Sequence, residues 1–155
     1  PGVMTCYYND PKATAEVLKG GWLYTGDIGR IDEEGFLIIC DRKKDLIITG
    51  GFNVFPSELE AVAITAENVA DAIAIGVPNE RRGEVPAIFV QPIAGKTVDL
   101  NEVERVCREK LSRFKVPKEY YIMDMLPKTK NRKPDRKMVK KLYLEHAFDD
   151  QKKEQ

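Results

Sequence analysis

The sequence predicts an α+β fold: a small domain with a hairpin and a three-stranded sheet packed by helices, preceded by a β-rich segment. Three observations carry that reading. Two short apolar segments, Leu46 to Thr49 and Phe52 to Phe55, flank the pair Gly50-Gly51, a strong hairpin signal. Strand-like runs fall at 70–77, 87–91 and 119–125. Residues that open helices, Pro56, Asp99 and Asp135, stand before the first run, between the second and third, and after the third. A hairpin followed by mixed strands and helices is the pattern of a compact α+β domain.

Taken in order, Pro11 to Leu18 reads as a short helix opening at a proline. Trp22 to Thr25 and Gly35 to Cys40 read as strands, with the polar, glycine-ended turn Asp32 to Gly35 between them as the bend of a hairpin. After the charged cluster at 41–45 comes the Gly50-Gly51 hairpin. Pro56 then opens a helix in which Ser57 and Glu60 have the spacing of a capping box. Leu59, Val62 and Ala63 share one face of that helix and should pack on the sheet. The charged turn 78–84 joins the first two strands of the sheet.

Asp99 opens the next helix, with Leu100, Val103, Val106, Cys107 and Leu111 at spacings of three and four. Lys115-Val116-Pro117 ends it, and the strand from Glu119 to Met125 follows. A polar loop runs from Pro127 to Pro134, then a helix from Asp135 to about Glu145. Residues 149–155 are almost wholly charged or amide, which predicts a disordered tail.

Composition narrows the function classes. The 155 residues suffice for one domain, or a small domain plus a piece of another, and 43% apolar residues can bury one core. Lysine plus arginine and aspartate plus glutamate balance at 25 each, which argues against a dedicated nucleic-acid binder. Cys6, Cys40 and Cys107 are an odd set without metal-site spacing, and read as free thiols in a reducing compartment. The single histidine, His146, offers neither a zinc site nor a catalytic triad, so no metal site is expected. No apolar run approaches ~18 residues and no signal peptide is visible. A cytoplasmic protein without a transmembrane segment is the expectation.

Three short segments at long spacing carry more. They are Tyr24-Thr25-Gly26-Asp27, then Asp41-Arg42-Lys43-Lys44-Asp45, then Leu126-Pro127-Lys128-Thr129 with Lys133 just beyond. In this order they resemble the C-terminal core motifs of the adenylate-forming superfamily, in its acyl-CoA synthetase branch. The segments Asn9 to Thr14, Gly50 to Pro56, Gly83-Glu84 and Phe114 to Pro117 also fit, so the resemblance covers nearly all of residues 1–145. It implies that residues 1–43 are the end of a large N-terminal domain that binds ATP and the acyl group. Residues 44–148 would be the mobile C-terminal domain and 149–155 its tail. The Ser/Thr/Gly-rich phosphate loop of such enzymes is not in this sequence and would lie upstream, so a piece of an enzyme, inactive alone, is expected.

The resemblance also assigns roles. Asp27 matches the ligand of the adenosine ribose, a role that suits a carboxylate accepting two hydrogen bonds. Without it, Asp27 reads as a turn aspartate. Arg42 matches a nucleotide contact at the domain junction, and its bland alternative is a surface salt bridge to Asp41 or Asp45. Lys44 matches the hinge about which the small domain rotates between two half-reactions. Lys133 matches the lysine that reaches the carboxylate and the α-phosphate during adenylation, where negative charge accumulates. Otherwise it is one lysine among many. The residue before this lysine is usually glycine; here it is Arg132, and Asn131 is the candidate for the left-handed position. Gly50, Gly51 and Phe52 match the hairpin lining the pantetheine channel, where glycine lets backbone approach a ligand; the plain alternative is a turn that matters for stability alone.

The implied full-length reaction is carboxylate plus ATP and CoA to acyl-CoA, AMP and pyrophosphate through an acyl-AMP. The Asp-Arg-Lys-Lys-Asp type at 41–45 is more similar to fatty or aryl acid ligases than to peptide-synthetase domains. ATP with Mg2+ and CoA would be substrates, with no tightly bound cofactor. The expected partners are the protein's own N-terminal domain, ATP, CoA and a carboxylic acid, and not nucleic acid. Two other classes remain open: an adenylation domain loading a carrier protein, and a non-catalytic anion-binding module. The stretch 126–141 holds eight lysines or arginines against Asp135, a positive rim suited to ATP and to the phosphates of CoA. Strands of 1–43 separated from their domain would expose edges, which predicts poor order or self-association.

Overall fold

A computed structural model describes residues 2–151, and the chain divides into two compact units, residues 1–44 and 45–155. In the first unit, helix α1 (Pro11–Val17) is capped by Asp10, whose Oδ1 accepts the Ala13 N–H at 2.8 Å. Strands β1 (Leu18–Lys19) and β2 (Trp22–Leu23) pair antiparallel around Gly20-Gly21. Both glycines have positive φ, 57° and 81°, which makes the tight turn.

Strands β3 (Asp27–Ile31) and β4 (Leu37–Arg42) form the second hairpin. Its turn is organised by Asp32, whose Oδ1 accepts the N–H groups of Glu34 at 3.1 Å and Phe36 at 2.8 Å. The expected turn is therefore present, but the strand leading into it is Asp27–Ile31 rather than 22–25. Trp22 and Leu23 pair with β1 instead, because the Gly20-Gly21 turn folds them back before they reach Asp32. No described residue of this unit is buried, and Trp22, Ile31, Phe36 and Leu37 are all more than 60% exposed. That much exposed apolar surface is a face awaiting a partner.

The second unit is built on one five-stranded sheet. Strands β7 (Val69–Asn79) and β8 (Gly83–Pro92) form a long antiparallel hairpin. The other edge of β8 takes two neighbours. Hairpin β5 (Ile47–Thr49) and β6 (Phe52–Val54) joins through Thr49 opposite Gly83. Strand β9 (Glu119–Ile122) pairs parallel with Ala87 to Val90. The sheet expected to have three strands has five, because the Gly50-Gly51 hairpin adds itself to the same sheet. The backbone N–H of Gly50 donates to the Arg82 carbonyl at 3.0 Å, fastening the two turns together.

Helices cover both faces, and the alternation along the strands sorts the core into two layers. Ala72, Ala74, Ile88 and Val90 face α2 (Pro56–Ala63) and α3 (Leu100–Lys110), with Leu59, Val103 and Val106. Ile73, Ile75, Ala87, Phe89 and Tyr121 form the other layer with Val139 of α4 (Arg136–Leu144) and Phe148. Burial on both sides explains why β7 and β8 read as nearly continuous apolar runs. Asp99 and Asp135 cap α3 and α4 as expected, through Asn101 N–H at 2.9 Å and Met138 N–H at 3.0 Å.

Ser57 does not stand at the cap of α2, which begins one residue earlier, at Pro56. The N-cap position is Phe55, with no side-chain cap, and the Glu60 carboxylate reaches β7 and α4. The tail also departs from expectation. Asp149–Gln151 form a 3-10 turn, tied by the Gln151 amide to the backbone of Ile122 at 2.9 and 3.1 Å. Residues 152–155 lie outside the described residues.

Candidate functional site

In the first unit, Asp27 and Arg42 occupy partner positions in the β3–β4 register, and Arg42 Nε lies 2.9 Å from Asp27 Oδ1. The preceding Gly26 has φ 76°, and its carbonyl accepts the Lys43 N–H at 2.8 Å. The turn thus presents Asp27 beside Arg42 with 28% of the Asp27 side chain open to solvent. Arg42 makes an ion pair with Asp27, and its backbone N–H donates to Asp41 Oδ1 at 2.8 Å. One carboxylate oxygen and the terminal guanidinium nitrogens remain for a hydroxyl or phosphate oxygen.

Lys44 is exposed within a single 3-10 turn, Lys43–Asp45, and is the last residue of the first unit.

In the second unit, Gly50 and Gly51 have φ 56° and 85°, and a Cβ on either would meet nothing within 4 Å. Both sit in the left-handed turn with open space beside them. Phe52, 56% exposed, stacks on Phe114 with centroids 4.7 Å apart. Thr49, Gly50, Phe52, Arg82, Arg113, Phe114 and Lys118 line a cleft of about 470 Å³. Three cations around a stacked aromatic pair make an anion-binding surface with a flat apolar wall. Burial, then the neighbouring charges of Arg82, Arg108 and Arg113, push the Lys118 ammonium below its ordinary value. The buried Thr49 hydroxyl, at 1% exposure, has no hydrogen-bond partner among the described residues. Sequence reasoning reached Gly50, Gly51 and Phe52 but not Arg82, Arg113 or Lys118; the paired arginines Arg81-Arg82 in the charged turn were the available signal.

Lys133 is exposed on a separate loop of the same unit. The Arg132 N–H donates to the Thr129 carbonyl and the Thr129 N–H to the Lys133 carbonyl, both at 2.8 Å. Lys128 and Pro134 close the loop as a β-bridge. This is a three-residue turn whose last position must be left-handed, normally glycine. That position is held by Arg132, with φ 59°, and not by Asn131. The usual glycine before the lysine therefore has a physical reason, and this chain keeps the geometry with an arginine under strain.

The Lys133 loop and the glycine hairpin sit on different borders of the sheet. In the strand order β6-β5-β8-β7, the hairpin is at one edge. The loop is held to the other edge, where Lys128 Nζ lies 3.0 Å from Asp71 of β7. Among the described residues, no group of three or more His, Cys, Asp or Glu side chains is arranged to hold a metal ion, and no helix is long and apolar enough to cross a membrane.

A two-layered α+β domain with a strained lysine loop and a glycine hairpin is the frame into which the comparisons fall. Residues 58–133 match the AMP-binding enzyme C-terminal domain. The chain is 44% identical over 142 residues to the 2-succinylbenzoate–CoA ligase of Geobacillus sp. (strain WCH70), covering 92% of this chain and 29% of the relative. It is 46% identical over 129 residues to a long-chain-fatty-acid–CoA ligase of Bacillus subtilis (strain 168), covering 83% and 23%. The solved o-succinylbenzoate CoA synthetase of Bacillus subtilis, in complex with its acyl-adenylate intermediate, superposes with a TM-score of 0.82 at 37% identity, covering 89% and 28%. Residues 58–133 thus carry the AMP-binding enzyme C-terminal domain, and the solved structures that the chain resembles are adenylate-forming enzymes. The chain spans less than a third of the length of these relatives.

Proposed function

We propose that this chain is the C-terminal part of an ATP-dependent acid–CoA ligase and supplies one group to each of two half-reactions. A substrate carboxylate oxygen attacks the α-phosphorus of ATP, giving acyl-AMP and pyrophosphate. The CoA thiol then attacks the acyl carbonyl and AMP leaves. Lys133 serves the first step by placing its ammonium against the negative charge that builds as the carboxylate meets the α-phosphate. The Gly50-Gly51-Phe52 hairpin serves the second by walling the path of the pantetheine arm. Asp27 and Arg42 hold the ribose and phosphate of the nucleotide, with Mg2+ arriving on ATP.

The observation that carries this reading is the opposite placement of loop and hairpin on one rigid sheet. They are also offset lengthwise: Asp71 anchors the loop, while the hairpin meets the turn after Asn79, roughly 26 Å further along β7 at ~3.3 Å per residue. A single acceptor position can be reached by one and then the other only if the domain turns, and the exposed residue at the border of the two units is Lys44.

The cationic cleft beside Gly50 favours free CoA over a carrier protein, because CoA brings an adenine to stack and phosphates to neutralise. The uncovered apolar face of residues 2–44 suits an upstream ATP- and acyl-binding domain of the same protein, rather than a second copy of the chain. The acid is of the aryl or fatty class named for the relatives. Three free cysteines suit a reducing cytoplasm.

The test is Lys133→Ala in the complete protein, with acyl-AMP formation and thioester formation from supplied acyl-AMP assayed separately. Loss of the first by a hundredfold or more, with the second intact, is expected. An unchanged first step would remove Lys133 from the chemistry.

A further inference from the structure

Lys133 is exposed, yet the feet of its loop are fastened by side chains that lie far from it in sequence. Arg136, the first helical residue of α4, reaches past the edge of the sheet to Glu60 of α2, 76 positions earlier. One Arg136 terminal nitrogen donates to both Glu60 oxygens at 2.7 Å. The pair is largely withdrawn from water, with side-chain exposures of 20% and 12%. The same Glu60 Oε1 accepts the Ala74 N–H of β7 at 2.8 Å. That N–H belongs to the β7 edge not paired with β8, so Glu60 satisfies an open strand edge and binds the start of α4 with one carboxylate.

The other foot is Lys128, paired with Asp71 three residues before Ala74 on the same strand. Two further bonds complete the frame: the Asp135 N–H to the Pro127 carbonyl at 2.9 Å, and the Leu126 N–H to Gln91 Oε1 at 2.8 Å.

We infer that Glu60 and Arg136 are positioning residues for adenylation: the ion pair fixes the Lys133 loop on the edge of β7, so that the lysine is delivered to the α-phosphate in one orientation. The inference rests on the role proposed for Lys133. A half-buried, charge-assisted contact in which one guanidinium nitrogen meets both carboxylate oxygens holds a loop foot more rigidly than an exposed pair. A displacement of about 1 Å at a catalytic group can lower a rate by up to ~10²-fold. The glycine hairpin lies on the far edge of the sheet from this frame. Loosening the frame should therefore spare thioester formation.

The experiment uses Glu60→Gln in the complete protein, with Lys133→Ala alongside. Expected for Glu60→Gln is a drop of about tenfold in kcat for acyl-AMP formation, with the KM for ATP and the rate of thioester formation from supplied acyl-AMP each within twofold. Hydrogen exchange should rise at residues 128–134 and stay unchanged at 85–91. A drop in both half-reactions with faster exchange in both segments would make the pair a general fold contact and overturn the inference. Unchanged adenylation in a folded Glu60→Gln protein would overturn it too. If Glu60→Gln does not fold, Lys128→Ala at the exposed foot carries the same test with about a threefold drop. An active Lys133→Ala would instead sink the underlying role of the lysine, which separates the two failures.

Discussion

Asp27 and Arg42 close the open end of the β3–β4 hairpin as register partners, 2.9 Å apart between Oδ1 and Nε. The contact orients both groups, and the proposed role uses the atoms it leaves over. As an exposed ion pair, it contributes about 0–1 kcal/mol to stability. In the proposed role of a ribose and phosphate clamp, it would contribute much more to binding. Asp27→Ala should raise the KM for ATP about tenfold, roughly 1.4 kcal/mol, while the melting midpoint hardly moves. A change in melting with no change in KM would return the pair to a surface role.

Arg132 holds a left-handed position at φ 59°, a conformation that disfavours a residue with a Cβ by roughly 1–2 kcal/mol. Arg132→Gly should therefore raise the urea midpoint by an amount worth about 1 kcal/mol, with an unchanged m-value. Asn131→Gly should give no such gain. Equal effects from the two would mean that the strain lies elsewhere in the loop.

Arg82, Arg113 and Lys118 surround the cleft beside Gly50. Arg113→Ala should raise the KM for CoA by about tenfold and flatten its dependence on salt, since one charge no longer contributes to anion attraction. The KM for ATP should not move. If both KM values rose together, the cleft would be a general anion patch.

Burial pushes the Cys107 thiol up to about 11 from an ordinary 9.0. The folded state thus prefers the neutral thiol. Its contribution is complete below about pH 9, where the unfolded thiol is still protonated, and fades as pH rises toward about 11. Tyr120, also raised by burial, acts in the same direction at higher pH. The denaturation midpoint should fall between pH 8 and pH 10.5, and Cys107→Ala should lessen the fall. An equal fall in the variant would assign it to other groups.

What the sequence made legible was local. Asp99 and Asp135 announce their helices because a cap is satisfied within three residues, and Asp32 organises its turn for the same reason. Gly50-Gly51 signals its hairpin because both residues need positive φ. The failures have two sources, distant partners and competing local geometry. Glu60 has the spacing of a capping box but also reaches Ala74 and Arg136, which no local pattern reveals. Trp22 and Leu23 look like the strand before Asp32, yet the nearer Gly20-Gly21 turn claims them. Arg132 rather than Asn131 takes the left-handed position because the bonds between Thr129 and Lys133 fix the register of the turn, and register outweighs preference. The cationic cleft was hidden because its charges come from two loops far apart in sequence, at Arg82 and at 113–118.

The central claim is that two edges of one sheet serve two half-reactions, and the most direct test crosses one variant from each edge. Lys133→Ala and Gly51→Trp would be made in the complete protein, with acyl-AMP formation and thioester formation from supplied acyl-AMP measured for both. The account predicts a crossed pattern: Lys133→Ala loses the first step and keeps the second, while Gly51→Trp keeps the first and loses the second. If both variants impaired the same step, one edge would serve all the chemistry, and the rotating-domain account would be contradicted.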